Sequence, residues 1–336
     1  MICRLSKNNF DLLRFIFASI VLIVHTYQLT GLTELSLITK YLSSEIAVRS
    51  FFIVSGFLIL MSYERSKSLV EYFRKRFLRI YPAYAFTILI VAIGFFGVSS
   101  KNAPEYFAAS WVSYVVSNLF FLNFLCPSLP GVFESNAISA VNGALWTLKI
   151  EVAFYIIVPI IAYTCRRSRP WLMLAIIYFA SYYFPKLLNT GKLSGTPLGG
   201  SLSHQIPAQL CFFVAGSFFY YYIELFEKYL FYFLTFAIVV FLLRPFASVG
   251  PLEPFALATI VVFLGLYLYI GNFGKYGDFS YGIYIVHFPI IQLFIHFKLF
   301  EKSPWFFLIS VFSFSLIASI FLWNFIESKF LNRKRS

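Results

Sequence analysis

Apolar residues along this chain come in long runs separated by short basic or polar stretches. Eleven runs can be marked, at 10–28, 46–63, 80–98, 107–125, 144–164, 171–184, 206–224, 229–243, 254–271, 279–297 and 304–326. A helix that crosses the hydrocarbon core of a bilayer needs about 20 residues, with a usual range of about 17–25. The pattern therefore predicts an all-α fold, a polytopic transmembrane helical bundle read as one domain over 1–336 with no fused soluble domain. The first run carries Asp11, Arg14 and His25 and has no small-residue cleavage site after it, so it is expected to be a retained first span.

Polar residues set the expected direction. Arg4 and Lys7 at the start, and Lys329, Arg333, Lys334 and Arg335 at the end, put both termini in the cytosol by the positive-inside rule. An even number of crossings follows, so one of the eleven runs should not cross. The run 107–125 is the expected exception: it holds Ser110, Ser113, Ser117, Asn118 and Asn123, and the loop 126–143 has no Lys or Arg. Keeping it re-entrant or interfacial leaves that loop outside and the Arg166, Arg167 and Arg169 loop inside. About ten spans plus one re-entrant or interfacial segment are expected. Re-entrant backbone is tolerated where protein or a water-filled cavity satisfies its polar groups, which hints at a cavity on the outer side.

Composition agrees with a lipid environment. Hydrophobic residues are 60% and charged residues 12%, against about 25% charged in a soluble domain. The net charge of +13 sits in short loops between apolar runs, so it reads as topology and contact with anionic lipid, not as nucleic-acid binding. None of Cys3, Cys126, Cys165 and Cys211 forms a CxxC pair, and neither a disulfide framework nor a metal site is suggested.

Ionisable residues within spans are functional candidates. Arg14 and His25 are eleven residues apart, close to three full helical turns, so both lie on one face about 16 Å apart along the axis. Arg14 is expected near the cytosolic end and His25 near the outer end. Glu151, in the segment WTLKIE that starts at Trp146, is expected about 10 Å below the outer end, at a depth compatible with contact to His25. A buried carboxylate there would orient the imidazole and stabilise its charged form. Arg76 and Arg79, in FRKRFLRIYPAY, share a helix face, and paired guanidiniums suit bidentate phosphate recognition. His287 lies mid-span in SYGIYIVHFP. Each has a plainer reading: snorkelling for Arg14, an ion pair for Glu151, lipid headgroups for the arginine pair, a hydrogen-bonded core histidine for His287. His204 and His296 read as interfacial or loop residues.

In combination these segments resemble the acyltransferase-3 family of membrane acyltransferases over nearly the whole chain. FDLLRFIFASIVLIVH resembles its Arg–ten residues–His first helix, and VRSFFIVSGFLI its FFxxSGFLI helix, with Ser55 as a further candidate. RKRFLRIYPAY resembles its RxxR segment, LWTLKIEVAFY its WTLxxExxFY segment through Trp146 and Glu151, and FSYGIYIVHFPI its SYxxYLxHxP helix through Ser280, Tyr281 and His287. The resemblance implies His25 as the key catalytic residue, and Arg14, Arg76 and Arg79 as serving an acyl-CoA donor. It leaves Glu151 assigned by depth alone. The expected activity is transfer of an acetyl group from cytosolic acetyl-CoA, with no metal, to a sugar hydroxyl of a surface or lipid-linked glycan. O-antigen, capsule and exopolysaccharide all fit as acceptors, at the inner membrane. The rival readings are a transporter or flippase for a glycan precursor, and a non-catalytic subunit of a glycan-assembly complex.

Overall fold

The computed structural model describes residues 7–190, 194–203 and 205–331. Cys3, Arg4, His204, Arg333, Lys334 and Arg335, on which some of the expectations above rest, lie outside the described residues. Among the described residues all regular structure is helical and no strand occurs. Among the described residues eleven helices exceed ten residues: α1 Phe10–Thr30, α2 Ser44–Glu64, α3 Leu69–Gly94, α4 Ala109–Leu119, α5 Trp146–Arg167, α6 Pro170–Thr190, α7 Ile206–Tyr221, α8 Leu230–Leu243, α9 Leu252–Leu266, α10 Phe279–His296 and α11 Pro304–Leu322. Seven helical segments, built on α1, α2, α3, α5, α6, α10 and α11, are long and apolar enough to cross a bilayer, while α7, α8 and α9 are apolar but shorter. The chain is a multi-pass membrane protein.

It packs as two compact units. One comprises Met1–Leu13, Val48–Phe73 and Ile150–Asn272, the other Arg14–Ala47, Arg74–Lys149 and Phe273–Ser336. In the first unit, α2 and α7 touch backbone to backbone. A Cβ on Gly56 would run into the carbonyl of Phe213, and one on Gly216 into the carbonyl of Ile53. The Ser217 hydroxyl adds a bond to the Gly56 carbonyl at 3.1 Å. Hydrocarbon lipid supplies no hydrophobic drive between helices, so small residues that let backbones approach are how such pairs hold. The ends of α2 and α7 meet that of α5: Tyr221 and Arg166 both donate to Glu64, at 3.3 and 2.7 Å.

In the second unit, α10 and α11 pack antiparallel through small residues. A Cβ on Gly282 would meet Ser319 and one on Gly277 would meet the Trp323 ring, while the Ser319 hydroxyl donates to the Phe279 carbonyl at 2.7 Å. The run 107–125 has its own path here. Tyr106 and Trp111 both donate to the Ala92 carbonyl late in α3, at 2.8 Å. Tyr84, eight residues earlier and so about 12 Å lower, donates to the Asn118 carbonyl at 2.6 Å. The chain then reverses at Phe121, whose φ is 61° and whose ring stacks on Tyr84 at 4.4 Å. It returns to the end of α3, where Ser100 N–H bonds the Gly131 carbonyl at 3.0 Å and the Ser99 hydroxyl bonds the Pro130 carbonyl at 2.8 Å. The segment thus leaves and rejoins α3 at one end. Asn118, almost fully buried, makes the reversal tolerable: its amide donates to the Tyr114 carbonyl one turn back at 2.9 Å and to the Cys126 carbonyl beyond the turn at 3.0 Å, and for the latter it satisfies a backbone group that lipid cannot.

Candidate functional site

The second unit gathers most of the polar residues singled out in the sequence, in two clusters joined by α1 and α10. The first forms where α10 begins. Asp278 is the N-cap residue of α10, accepting from the Ser280 backbone N–H at 3.2 Å and from the Ser280 hydroxyl, the usual way a short acidic side chain satisfies a helix start. Its other carboxylate oxygen takes Arg14 at 2.7 Å and Arg79. Burial alone would raise the Asp278 carboxyl, but the two guanidiniums and the Ser280 hydroxyl hold it well below the usual carboxylate range. Arg79 also lies 3.8 Å from Glu327, whose side chain is 2% exposed. Glu327 closes a π-helical turn, Trp323–Glu327, that follows α11, a distortion often found at functional positions. Arg76 lies three residues before Arg79 on α3, half-buried.

The second cluster lies about 16 Å further along α1. His25 Nδ1 is 2.9 Å from His287 Nε2, and the rings stack with centroids 5.2 Å apart. His287 is completely buried, and its Nδ1 is 3.1 Å from the Ile283 carbonyl one turn earlier. A carbonyl only accepts, so this Nδ1 carries the hydrogen and, in the neutral ring, Nε2 is the acceptor. His25 Nδ1 must then be the donor across the 2.9 Å contact, which leaves the basic lone pair of His25 on Nε2. Because Arg14 meets Asp278 and His25 meets His287 in the same chain order, α1 and α10 run parallel.

The surroundings of the histidine pair are tightly held. Phe288 sets its ring edge-on to His25 at 5.8 Å, and a Cβ on Gly143 would run into that same Phe288 ring. Asn142 accepts from the Ala144 N–H at 3.2 Å and donates to the Ile285 carbonyl at 2.8 Å. Thr147 and Tyr284 share a hydrogen bond of 2.6 Å, fixing the first turn of α5, where Trp146 is half-buried. Gln292 donates to Ile138 and Ala140 carbonyls, at 2.5 and 2.8 Å, and accepts from Asn136 at 2.9 Å. The loop before α5 is therefore strapped along α10.

Two sequence candidates belong to the other unit. Glu151 accepts from the Tyr155 hydroxyl at 2.7 Å, one turn along α5. Ser55 is half-buried on α2 next to the Gly56 contact. Asp278 and Glu327 were not singled out in the sequence, although an Asp immediately before an apolar helix is an N-cap signal.

Comparison with known proteins gives a consistent result. An acyltransferase domain, Acyl_transf_3, matches residues 7–324. The chain is 29% identical over 97% of both chains to an O-acetyl transferase of Shigella phage Sf6. It is also similar to nodulation protein 10 of Rhizobium leguminosarum bv. viciae, 29% identical over 48% of this chain and 46% of that one, and to the acyltransferase MdmB of Streptomyces mycarofaciens, 30% identical over 34% and 27%. No solved structure matches.

Proposed function

The chain belongs to the acyltransferase-3 family, and from that premise we propose that it is an O-acetyltransferase of the inner membrane that moves acetyl from cytosolic acetyl-CoA to a sugar hydroxyl of a surface or lipid-linked glycan. The observation that carries this reading is the histidine pair. A neutral imidazole whose Nδ1–H is committed to a buried acceptor, and whose Nε2 lone pair is basic, is poised as a general base. His25 Nε2 takes the proton from the acceptor hydroxyl, and the oxygen bonds the thioester carbonyl carbon. The carbon–sulfur bond breaks, and the leaving thiolate takes the proton back from His25. His287 holds the His25 tautomer and shares the charge of the imidazolium. A variant of the scheme has His25 carry the acetyl group between donor and acceptor.

Arg14, Arg76 and Arg79 are the donor-binding residues in this reading. Guanidinium forks suit the phosphates of CoA, and the long pantetheine arm matches the distance from Arg14 to His25 along α1. Arg14 and Arg79 share Asp278, so a phosphate that binds them competes with a resident carboxylate. The name of the phage relative, an O-acetyl transferase, supports acetyl as the group transferred. Both termini are proposed to be cytosolic, with the loop 126–143 and the connection between α6 and α7 outward. The test is mass analysis of surface glycans from cells with and without the protein. An acetyl mass increment that depends on the protein supports the proposal, and identical glycans in both sink it.

A further inference from the structure

Away from the histidine and arginine clusters, the first unit holds a built cavity that the reaction above does not use. It lies where α2 begins, α6 ends, α7 begins and α8 ends, and its volume is about 310 Å³, the lower end of the range of about 300–1,000 Å³ typical of small-ligand sites. Its lining is polar for a membrane protein, with Arg49, Arg244, Glu253, Tyr182 and Ser248 among the residues that face it. The Arg49 guanidinium lies over the Phe212 ring at 4.9 Å, which fixes its plane against one wall. Arg244 reaches Glu253 at 3.4 Å with 45% of its side chain exposed, so it forms a rim. The lining thus offers two guanidiniums, one of them beside the Glu253 carboxylate, and the Tyr182 and Ser248 hydroxyls add neutral donors.

The opposite end of this unit carries the Arg166–Glu64 pair and the basic loop through Arg169. The orientation proposed above puts that end in the cytosol and the cavity on the acceptor side. We infer that the cavity binds an anionic group of the acceptor, a phosphate of its lipid carrier or a carboxylate of an acidic sugar. This rests on the acceptor-side reading of the previous section. Guanidiniums make charge-assisted, bidentate bonds to both kinds of oxyanion, and the volume suits a diphosphate or a single sugar ring.

The test uses the full-length protein in detergent and reads the thermal unfolding midpoint with inorganic pyrophosphate, with glucuronate and with sodium chloride at matched ionic strength. Pyrophosphate, glucuronate or both are expected to raise the midpoint beyond the chloride control, and which of them does so identifies the source of the anion. The apparent Kd is expected to rise about tenfold in Arg49→Gln and in Arg244→Gln, less in Arg49→Lys, and not at all in Arg167→Gln on the exposed basic loop. Arg244 is on the rim, so its variant decides the matter if Arg49→Gln does not fold. No shift beyond chloride, a shift in both cavity variants unchanged from wild type, or a shift lost in Arg76→Gln alone overturns the inference. Stabilisation by acetyl-CoA is read in parallel. Its absence counts against the acyl-donor reading, and the anion result separately decides the cavity.

Discussion

His287 presents Nδ1 to the Ile283 carbonyl and Nε2 to His25, and this fixes where the His25 lone pair lies. His25→Ala is expected to lower acetyl transfer about 10²–10⁴-fold, the usual worth of a general base, while the protein still inserts. His287→Phe is expected to lower kcat with the acetyl-CoA KM little changed, because the donor is held elsewhere. An unchanged kcat would reduce His287 to a packing residue. At the other cluster, Asp278→Asn leaves Arg14 and Arg79 without their shared carboxylate, and breaking a buried pair in this way costs about 3–5 kcal/mol. Arg166→Ala, at a largely exposed pair, is expected to cost at most about 1 kcal/mol. Thermal unfolding of the purified variants compares the two. The carboxyl of Asp278 titrates lower in the fold than in the unfolded chain. Its contribution to stability is therefore complete above the unfolded value of about 3.9 and is lost only as pH falls through the depressed folded value. Arg14, His25 and His287 were legible in the sequence because an ionisable group inside an apolar run stands out, and Arg79 because it shares a helix face with Arg76 in a basic segment. Asp278 and Glu327 were not, because they sit at run ends where charge is ordinary. Their partner Arg79 is 199 residues from Asp278 in the chain, a separation no local spacing records.

At the scale of helices, hydrophobic runs of the sequence reappear as helices with shifted ends, since apolar length is what a bilayer selects. What sets the contacts between them was not legible. Gly56 and Gly216 look alike in sequence to Gly94, yet a Cβ on either of the first two collides with backbone while one on Gly94 meets nothing within 4 Å. Gly56→Val and Gly216→Val are expected to lower the unfolding midpoint sharply, and Gly94→Ala to leave it unchanged or raise it slightly. Equal effects would remove the backbone contact as the reason for those glycines. The serine-rich run 107–125 was singled out by its polarity, but the reversal at Phe121 was hidden, because a positive φ at a phenylalanine has no sequence signature. Asn118 holds that reversal, so Asn118→Leu is expected to destabilise the protein by removing the side-chain amide that bonds the Cys126 carbonyl.

The account of the whole molecule depends on sidedness, because acetyl-CoA is cytosolic and the proposed acceptor is not. In a background without the native cysteines, Cys at Ser135 and at Ser201 is expected to react with a membrane-impermeant thiol reagent in intact cells, and Cys at Ser168 only after lysis. Because the run 107–125 returns to the end of α3 it left, the reverse pattern would mean that the bundle is inserted the other way round, and would exchange the donor and acceptor sides. At the centre is transfer of acetyl from acetyl-CoA to a glycan that depends on His25. The most direct measurement incubates purified protein, reconstituted in liposomes, with acetyl-labelled acetyl-CoA and the lipid-linked glycan of its host, and follows label into the glycan. Wild type is expected to transfer label and His25→Ala to fall at least about 10²-fold below it. Transfer by His25→Ala at the wild-type rate would contradict the account.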